Sequence, residues 1–179
     1  MAHTKPSASW CKMKNRLLMI LLCIILPLSC AGCSSRLKRD MPDAVSAQDC
    51  FDCNQDRIAL VTDYLLSLKH PDVWINDANG TYFSDFEWHS IEDRTVRETI
   101  EALWESGISD IRKNTKANSI SFEIWRSFQE VDCGVAFSVD GIHAPSVEFM
   151  TQVEPLTERG WYYYVADYNQ WRIEHPTTN

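Results

Sequence analysis

The chain has 179 residues and a mass of 20.7 kDa, which is enough for a removable leader and one domain but too short for a multidomain enzyme. Hydrophobic residues make up 45% and charged residues 23%, with six Gly and seven Pro, so the chain is neither disordered nor fibrous. The net charge of −8 is the sum of a basic leader and an acidic remainder, which carries −12 from Cys33 onward. This remainder lacks the clustered cations that a protein needs to bind nucleic acid unaided.

Residues 1–32 have the order of a secretory signal peptide. Lys12, Lys14 and Arg16 precede the apolar run of residues 17–28, and small residues follow it. The run has about 12 residues, whereas a membrane-spanning helix needs ~20, so a cleaved leader is favoured over a permanent span. Translation begins at Met1 or at Met13, and both starts stay open. A plain signal peptide with a secreted product is the alternative interpretation.

The small residues directly before Cys33 resemble the lipobox of bacterial lipoproteins. This resemblance implies cleavage before Cys33, acylation of that cysteine and anchoring in the cell envelope, with Cys30 as the second candidate. Ser34 in the next position implies sorting to the outer membrane, facing the periplasm. Residues 33–49 are predicted to be a lipidated tether, and residues 50–175 a single folded domain.

Three cysteines belong to the predicted domain: Cys50, Cys53 and Cys133. The first two have the spacing of a redox pair, but neighbouring aspartates would destabilise a thiolate there. A zinc site is not predicted, because a second closely spaced Cys/His pair is missing. We therefore expect a disulfide, either between Cys50 and Cys53 or from one of them to Cys133, as is usual in an oxidising compartment.

The predicted elements begin with a helix over residues 54–68, whose apolar residues recur every three or four positions. A hairpin over residues 73–86 follows, turning at Asn79-Gly80. Ser90, with Asp93 three residues later, predicts the start of a second helix over residues 91–106, which ends at Gly107.

Beyond Gly107 the apolar period changes from that of a helix to that of a strand. Alternation predicts strands around residues 120–124, 135–139, 147–153 and 161–165, and a short fifth strand over residues 170–174. The predicted fold class is α+β, with N-terminal helices packed on a curved antiparallel sheet.

The order of these elements, together with Trp171-Arg172-Ile173 as a closing strand, resembles the NTF2-like (cystatin-like) superfamily. The resemblance implies a cone-shaped sheet around a cavity. Members include small dehydratases and isomerases, non-catalytic binding domains and immunity proteins of bacterial toxin systems. No catalytic residue of such an enzyme maps onto this chain.

Residues with catalytic potential are few. The histidines lie near predicted element ends, which is typical of exposed or capping residues. Glu123 alternates with Phe122, so it points either into the cone or to solvent. Phosphate-loop, nucleophile-elbow and metalloprotease motifs are absent from the sequence. We therefore predict no catalytic residue, no metal site and no cofactor.

Large aromatic side chains are the sequence feature that favours a binding function, because Tyr and Trp are enriched at binding hot spots. The predicted ligand or partner face consists of Trp125, Trp161, Tyr162, Tyr164 and Trp171.

The expected function is that of a lipid-anchored, non-catalytic binding module for a protein or small ligand. Immunity against a cationic toxin is its most specific form, and pairing of two copies through the sheet is a further expectation. The alternative is a small NTF2-like enzyme of lyase or isomerase type that uses a carboxylate or histidine in the cone.

Overall fold

The computed structural model describes residues 40–127 and 130–176, which contain three helices and eight strands. Their chain order is α1 (Ala44–Ser67), β1 (Asp72–Ile75), β2 (Thr81–Ser84), β3 (Glu87–Ser90), α2 (Arg94–Glu105), β4 (Asp110–Asn114), β5 (Ser119–Arg126), β6 (Val131–Ser138), β7 (Met150–Pro155), β8 (Trp161–Asp167) and α3 (Tyr168–Glu174). The strands form one open, curved antiparallel sheet in the order β3-β2-β1-β4-β5-β6-β8-β7. The α+β class and the curved antiparallel sheet are confirmed.

The helix α1 begins earlier than predicted. Asp43 caps it by accepting a hydrogen bond from the Ser46 amide at 2.8 Å, and Tyr163 Oη donates to the Pro42 carbonyl at 2.7 Å. Buried residues continue the helical spacing back to Ala47. The charges and small side chains of residues 44–49 predict a tether, but those features are also compatible with a helix whose apolar face is narrow.

The hydrophobic core lies between α1, α2 and one face of the sheet. Phe51 and Leu65 of α1 and Leu103 of α2 are fully buried against strand residues such as Phe122. The second helix begins at Arg94, because Asp93 itself is the N-cap and accepts hydrogen bonds from the Thr95 and Val96 amides. Ser90, the predicted first residue of this helix signal, lies instead in β3.

The strand β4 was not predicted, because its sequence is mostly polar and charged. Its register with β1 and β5 nevertheless buries Ile111 and Lys113 on the core face. Lys113 can lie there because its Nζ donates to the Leu65 and Leu68 carbonyls at the end of α1, at 2.8 Å each. The Lys113 side chain thus provides hydrogen-bond donors for the carbonyl groups at the C-terminus of α1 inside the core.

The predicted fifth strand over residues 170–174 is wrong, because these residues belong to α3. Asp167 caps this helix by accepting a hydrogen bond from the Gln170 amide at 2.9 Å. The preceding strand β8 already pairs with β6 on one edge and β7 on the other, so the chain cannot fold back beside it. The helices are therefore not all N-terminal, and Trp171-Arg172-Ile173 is not a closing strand.

The predicted signal peptide, both candidate starts, Cys30 and Cys33 lie outside the described residues. Within the described ranges, no helix combines the length and the apolar character needed to cross a bilayer.

Candidate functional site

The sheet face opposite the helices carries charged residues beside a small apolar cluster of Ala136, Tyr164 and Ala166. We define the charged site by five charged residues: Asp110 and Arg112 on β4, Glu123 and Arg126 on β5, and Asp132 on β6. The two arginines are exposed and Asp132 is half-buried. Asp110 and Glu123 are each only 5% exposed. Burial of charge at this level requires compensation by partners, so the arrangement of these side chains is specific.

Strand register brings the five residues together. Asp110 lies directly opposite Glu123, and Arg126 lies opposite Asp132. Glu123 and Arg126 are three residues apart, a spacing that places side chains on opposite faces of a regular strand. A bulge between Glu123 and Trp125 adds one residue to β5, which returns Arg126 to the face of Glu123.

The carboxylates of Asp110 and Glu123 are held by several donors. Arg112 Nε donates to Asp110 Oδ1 at 2.9 Å, and Trp74 Nε1 donates to Asp110 Oδ2 at 2.8 Å. Arg126 donates to Glu123 Oε2, while Ser109 Oγ donates to Glu123 Oε1 at 2.8 Å. Both oxygens of each carboxylate are therefore engaged, which makes the network a rigid base for the site.

Burial changes the protonation equilibria of the site. It raises the pKa of Glu123, against the opposing effects of the Ser109 hydrogen bond and the Arg126 charge. It also raises the pKa of Asp132, again against the charges of Arg126 and Arg112. Tyr164, fully buried behind these carboxylates, has a pKa well above its usual value. The site thus contains carboxylates that are less easily ionised than exposed ones.

A cavity of about 520 Å³ opens over the charged site. Phe149 and Tyr168, whose ring centroids are 4.8 Å apart, form an aromatic wall. Its remaining lining residues are all polar or charged: Arg112, Arg126, Ser127, Glu130, Asp132 and Glu148. We call this cavity the acidic pocket, because its three carboxylates outnumber two guanidinium groups that are already paired with Asp110 and Glu123.

The five aromatic residues predicted as a partner face do not form one surface. Trp125 and Trp161 belong to the helix side of the sheet, where Trp161 packs on Phe51 with ring centroids 4.8 Å apart. Tyr162 and Tyr164 alternate to the opposite face, and Tyr164 is buried there. Trp171 lies on α3 and packs on Phe149, at the wall of the acidic pocket.

Glu123 is the one residue of the charged site that the sequence pattern indicated, and it is buried on the sheet face opposite the helices. Asp110, Arg112, Arg126 and Asp132 were missed. Asp110 and Arg112 lie on β4, which was not predicted because its sequence is mostly polar and charged. Arg126 faces the site only because of the bulge in β5. The alternating opposite charges of Asp110 and Arg112 are the one signal that could have indicated them.

The cysteines and histidines lie apart from the charged site. Cys50 and Cys53 are one turn apart on α1, and Cys133 faces the core from β6, where burial raises its pKa to about 12. A thiol of this kind is a poor nucleophile. In residues 40–127 and 130–176, no group of three or more His, Cys, Asp or Glu has the arrangement of a metal site.

Comparison of the chain with protein-family models, with curated proteins and with solved structures finds no match. The function of the site is therefore inferred from its own charges, burial and shape.

Proposed function

We propose that this chain is a lipid-anchored, non-catalytic binding module of the cell envelope, whose acidic pocket receives a cationic group of its partner. The observation that carries the proposal is the charge of the pocket. Glu130, Asp132 and Glu148 line it, and none of the ion pairs formed by the described residues includes them. Three carboxylates around one cavity favour an ammonium or guanidinium group.

The aromatic wall supports the same chemistry. Phe149 and Tyr168 present ring surface beside the carboxylates, and a cation over an aromatic face gains about 0.5–2 kcal/mol. Arg172 already lies over the Tyr168 ring, 5.6 Å from its centroid, so at least one face of that ring accepts a guanidinium. A Lys or Arg side chain of a basic protein has the size and charge for this pocket.

The hydrogen bonds that the Asp110 and Glu123 carboxylates accept support a binding function over a catalytic one. A general base must be directed at the proton that it removes. Both oxygens of Glu123 accept hydrogen bonds, from Ser109 and from Arg126, and Asp110 is held in the same way by Arg112 and Trp74. These residues are suited to fix the shape of the pocket.

The partner class that fits best is a basic protein. The chain from Cys33 onward carries a net charge of −12, which would accelerate association with a cationic partner. The most specific form of the proposal is immunity against a cationic toxin that acts in the periplasm. Anchoring to the outer membrane through a lipid on Cys33 would place the module in the path of such a toxin.

The binding proposal is tested by pull-down from envelope extracts with the full chain as bait. We expect capture of a basic protein at low salt and loss of capture at high salt, because screening weakens exposed charge pairs. A variant with Glu130→Gln, Asp132→Asn and Glu148→Gln should lose at least about tenfold of the captured protein. The matched control changes Asp56, Glu101 and Glu105, exposed acids outside the pocket, to their amides. Equal capture by both variants, or capture insensitive to salt, contradicts the proposal.

The lipid anchor is tested separately. In Cys33→Ala, we expect no acyl label and a protein that is either uncleaved or released from the membrane, because the acylated residue is gone. Metabolic labelling with a fatty acid and fractionation of cells measure both outcomes. Label retained in Cys33→Ala but lost in Cys30→Ala would move the lipid to the second candidate.

A small NTF2-like enzyme is the second candidate function, with the inner sheet face as its cone. The observation in its favour is the burial of Glu123, which raises the pKa of this carboxylate toward the range of a general acid. Glu123→Gln distinguishes the two functions. An enzyme should lose its turnover in this variant while its ligand still binds, whereas a binding module has no turnover to lose in the original chain.

A further inference from the structure

The strand β3 lies at one end of the sheet, and among the described residues it pairs only with β2. Two large apolar side chains are exposed at this edge. Phe86, in the turn before it, is 94% exposed, and Trp88 within it is 53% exposed. Free edges are normally protected by charge, proline or a covering element, because their unpaired backbone groups accept further strands.

The turn between β2 and β3 determines which backbone groups are free. Asp85 and Phe86 form a two-residue connection with φ of 51° and 67°, as type I′ hairpins require. In such a hairpin the flanking residues Ser84 and Glu87 exchange backbone hydrogen bonds. Glu87 and His89 therefore direct their amide and carbonyl groups toward β2, while Trp88 directs its own toward the free edge.

A row of cross-strand neighbours runs from this edge to the charged site. Trp88 lies opposite Phe83, Phe83 opposite Trp74, and Trp74 opposite Arg112. The Phe83 and Trp88 ring centroids are 5.3 Å apart, and the Arg112 guanidinium lies 5.3 Å from the centroid of the Trp74 ring. The row is closed at Arg112, which pairs with Asp110, and open at Trp88.

We infer that the free edge of β3 pairs with the same edge of a second copy of this chain, antiparallel and about a two-fold axis at Trp88. Each Trp88 would exchange both backbone hydrogen bonds with Trp88 of the second copy, and the two rings would continue the aromatic row across the axis. Glu87 would lie opposite His89 of the second copy, and this pair would occur twice.

Side-chain pairing favours this register over its neighbours. Symmetric pairing centred on residue 87 places two Glu87 carboxylates opposite each other, and pairing centred on residue 89 places two His89 rings opposite each other. Two carboxylates opposite each other destabilise a sheet, whereas a carboxylate can accept a hydrogen bond from an imidazole ring opposite it. Pairing centred on Trp88 is the register of the three that gives unlike groups at both positions. The inference does not depend on the proposed function, because the acidic pocket shares no residue with β3.

The first experiment is cysteine cross-linking of the full chain in cells. Directly opposed, hydrogen-bonded residues have Cα atoms about 5.5 Å apart, which is within the range of a disulfide. We expect Trp88→Cys to give a disulfide-linked dimer under mild oxidation. The unchanged chain reports the background from its own cysteines, and Glu101→Cys, on the exposed surface of α2, reports random collision. A yield for Trp88→Cys no higher than these controls overturns the inference.

The second experiment exchanges the charges and follows self-association by sedimentation of the purified full chain in detergent. Glu87→Lys alone, or His89→Glu alone, should weaken the dimer about fivefold, because the first removes the acceptor of both cross-strand pairs and the second makes both pairs like-charged. The double variant should restore the dimer, since the introduced lysine of one copy then lies opposite the introduced glutamate of the other. His89 also stacks on Tyr82 within its own chain, and this loss is common to His89→Glu and the double variant.

Restoration in the double variant therefore separates pairing between copies from an effect on folding. A monomer at every concentration, single variants with unchanged association, or a double variant as weak as the single ones overturns the inference. Capture of a different protein by a monomeric chain, lost in Trp88→Thr, would assign the edge to that protein and also overturn it.

Discussion

At the scale of single residues, one exposed carboxylate organises the turn after β6. Asp140 accepts hydrogen bonds from the amides of Ile142 and His143 at 2.9 and 3.0 Å, and from the Asn118 side chain at 2.9 Å. The His143 ring lies 2.8 Å from its other oxygen. Hydrogen bonding from His143, followed by the two amides, holds the pKa of Asp140 well below its usual range.

We expect Asp140→Asn to lower the free energy of unfolding at pH 7. A carboxylate whose pKa is depressed by folding stabilises the folded state above its unfolded pKa of about 3.9, and this contribution is lost as the pH falls through the folded value. The difference between the variant and the original chain should therefore shrink below about pH 4. Urea unfolding at pH 7 and pH 3 measures it. A difference that is the same at both pH values would show that the charge of Asp140 has no part in it.

Asp132 is expected to behave in the opposite sense. Burial raises its pKa on folding, so its ionised form opposes folding, and this destabilisation is fully present above the folded pKa and disappears in acid. Asp132→Asn should therefore be at least as stable as the original chain at pH 7 and should lose this advantage as the pH falls through the folded pKa of Asp132 to about 4. The same urea series provides the measurement. Lower stability of Asp132→Asn at pH 7 would mean that attraction to Arg126 outweighs burial.

At the scale of elements, close strand contact beside the bulge of β5 requires glycine at position 134. Gly134 lies opposite Glu123, and a Cβ atom there would meet the Phe122 carbonyl oxygen at 2.0 Å. The added Cβ atom would meet a backbone atom, and the backbone of a paired strand has little room to move. The charged site is thus built where two strands come closer than side chains would permit.

Gly134→Ala should destabilise the fold by about 1–3 kcal/mol, the usual effect of forcing an extra group into a packed site. It should also disturb the acidic pocket, since Glu123 is part of its base. The free energy of urea unfolding is the measurement. Gly107→Ala provides a matched control, since a Cβ atom there meets nothing within 4 Å, although its φ of 105° carries its own backbone strain. Gly134→Ala with unchanged stability would mean that the strands separate at low energy.

The sequence predicted elements where one physical signal dominated. Periodic apolar residues indicated both long helices and the central strands, because these elements each bury one face. The same rule missed β4, whose burial depends on Lys113 reaching the carbonyls at the end of α1. It also assigned a strand to α3, because short apolar segments do not distinguish a strand from one helical turn, and the Asp167 cap was not recognised.

At the scale of the whole molecule, the candidate site was less predictable than the fold. Alternation singled out Glu123 but left open whether it points into the cone or to solvent. Its partners come from β4 and β6, and their proximity depends on a register and a bulge that have no local signature. The predicted aromatic face was based on composition, and the pleat of β8 divides its tyrosines from Trp161. The net charge of each segment was the more informative property for the site, because the acidic character of the domain reappears in the acidic pocket.

The length of α1 has a geometric consequence for the molecule at a membrane. This helix has 24 residues and therefore measures about 36 Å. The predicted tether enters at its first residue, whereas His70, three residues beyond its end, contacts Asp85 in the turn before β3. With a lipid on Cys33, the helix would separate the β3 edge by about 36 Å from the end of the predicted tether. Paired copies would then meet at the helix ends that lie farthest from their tethers.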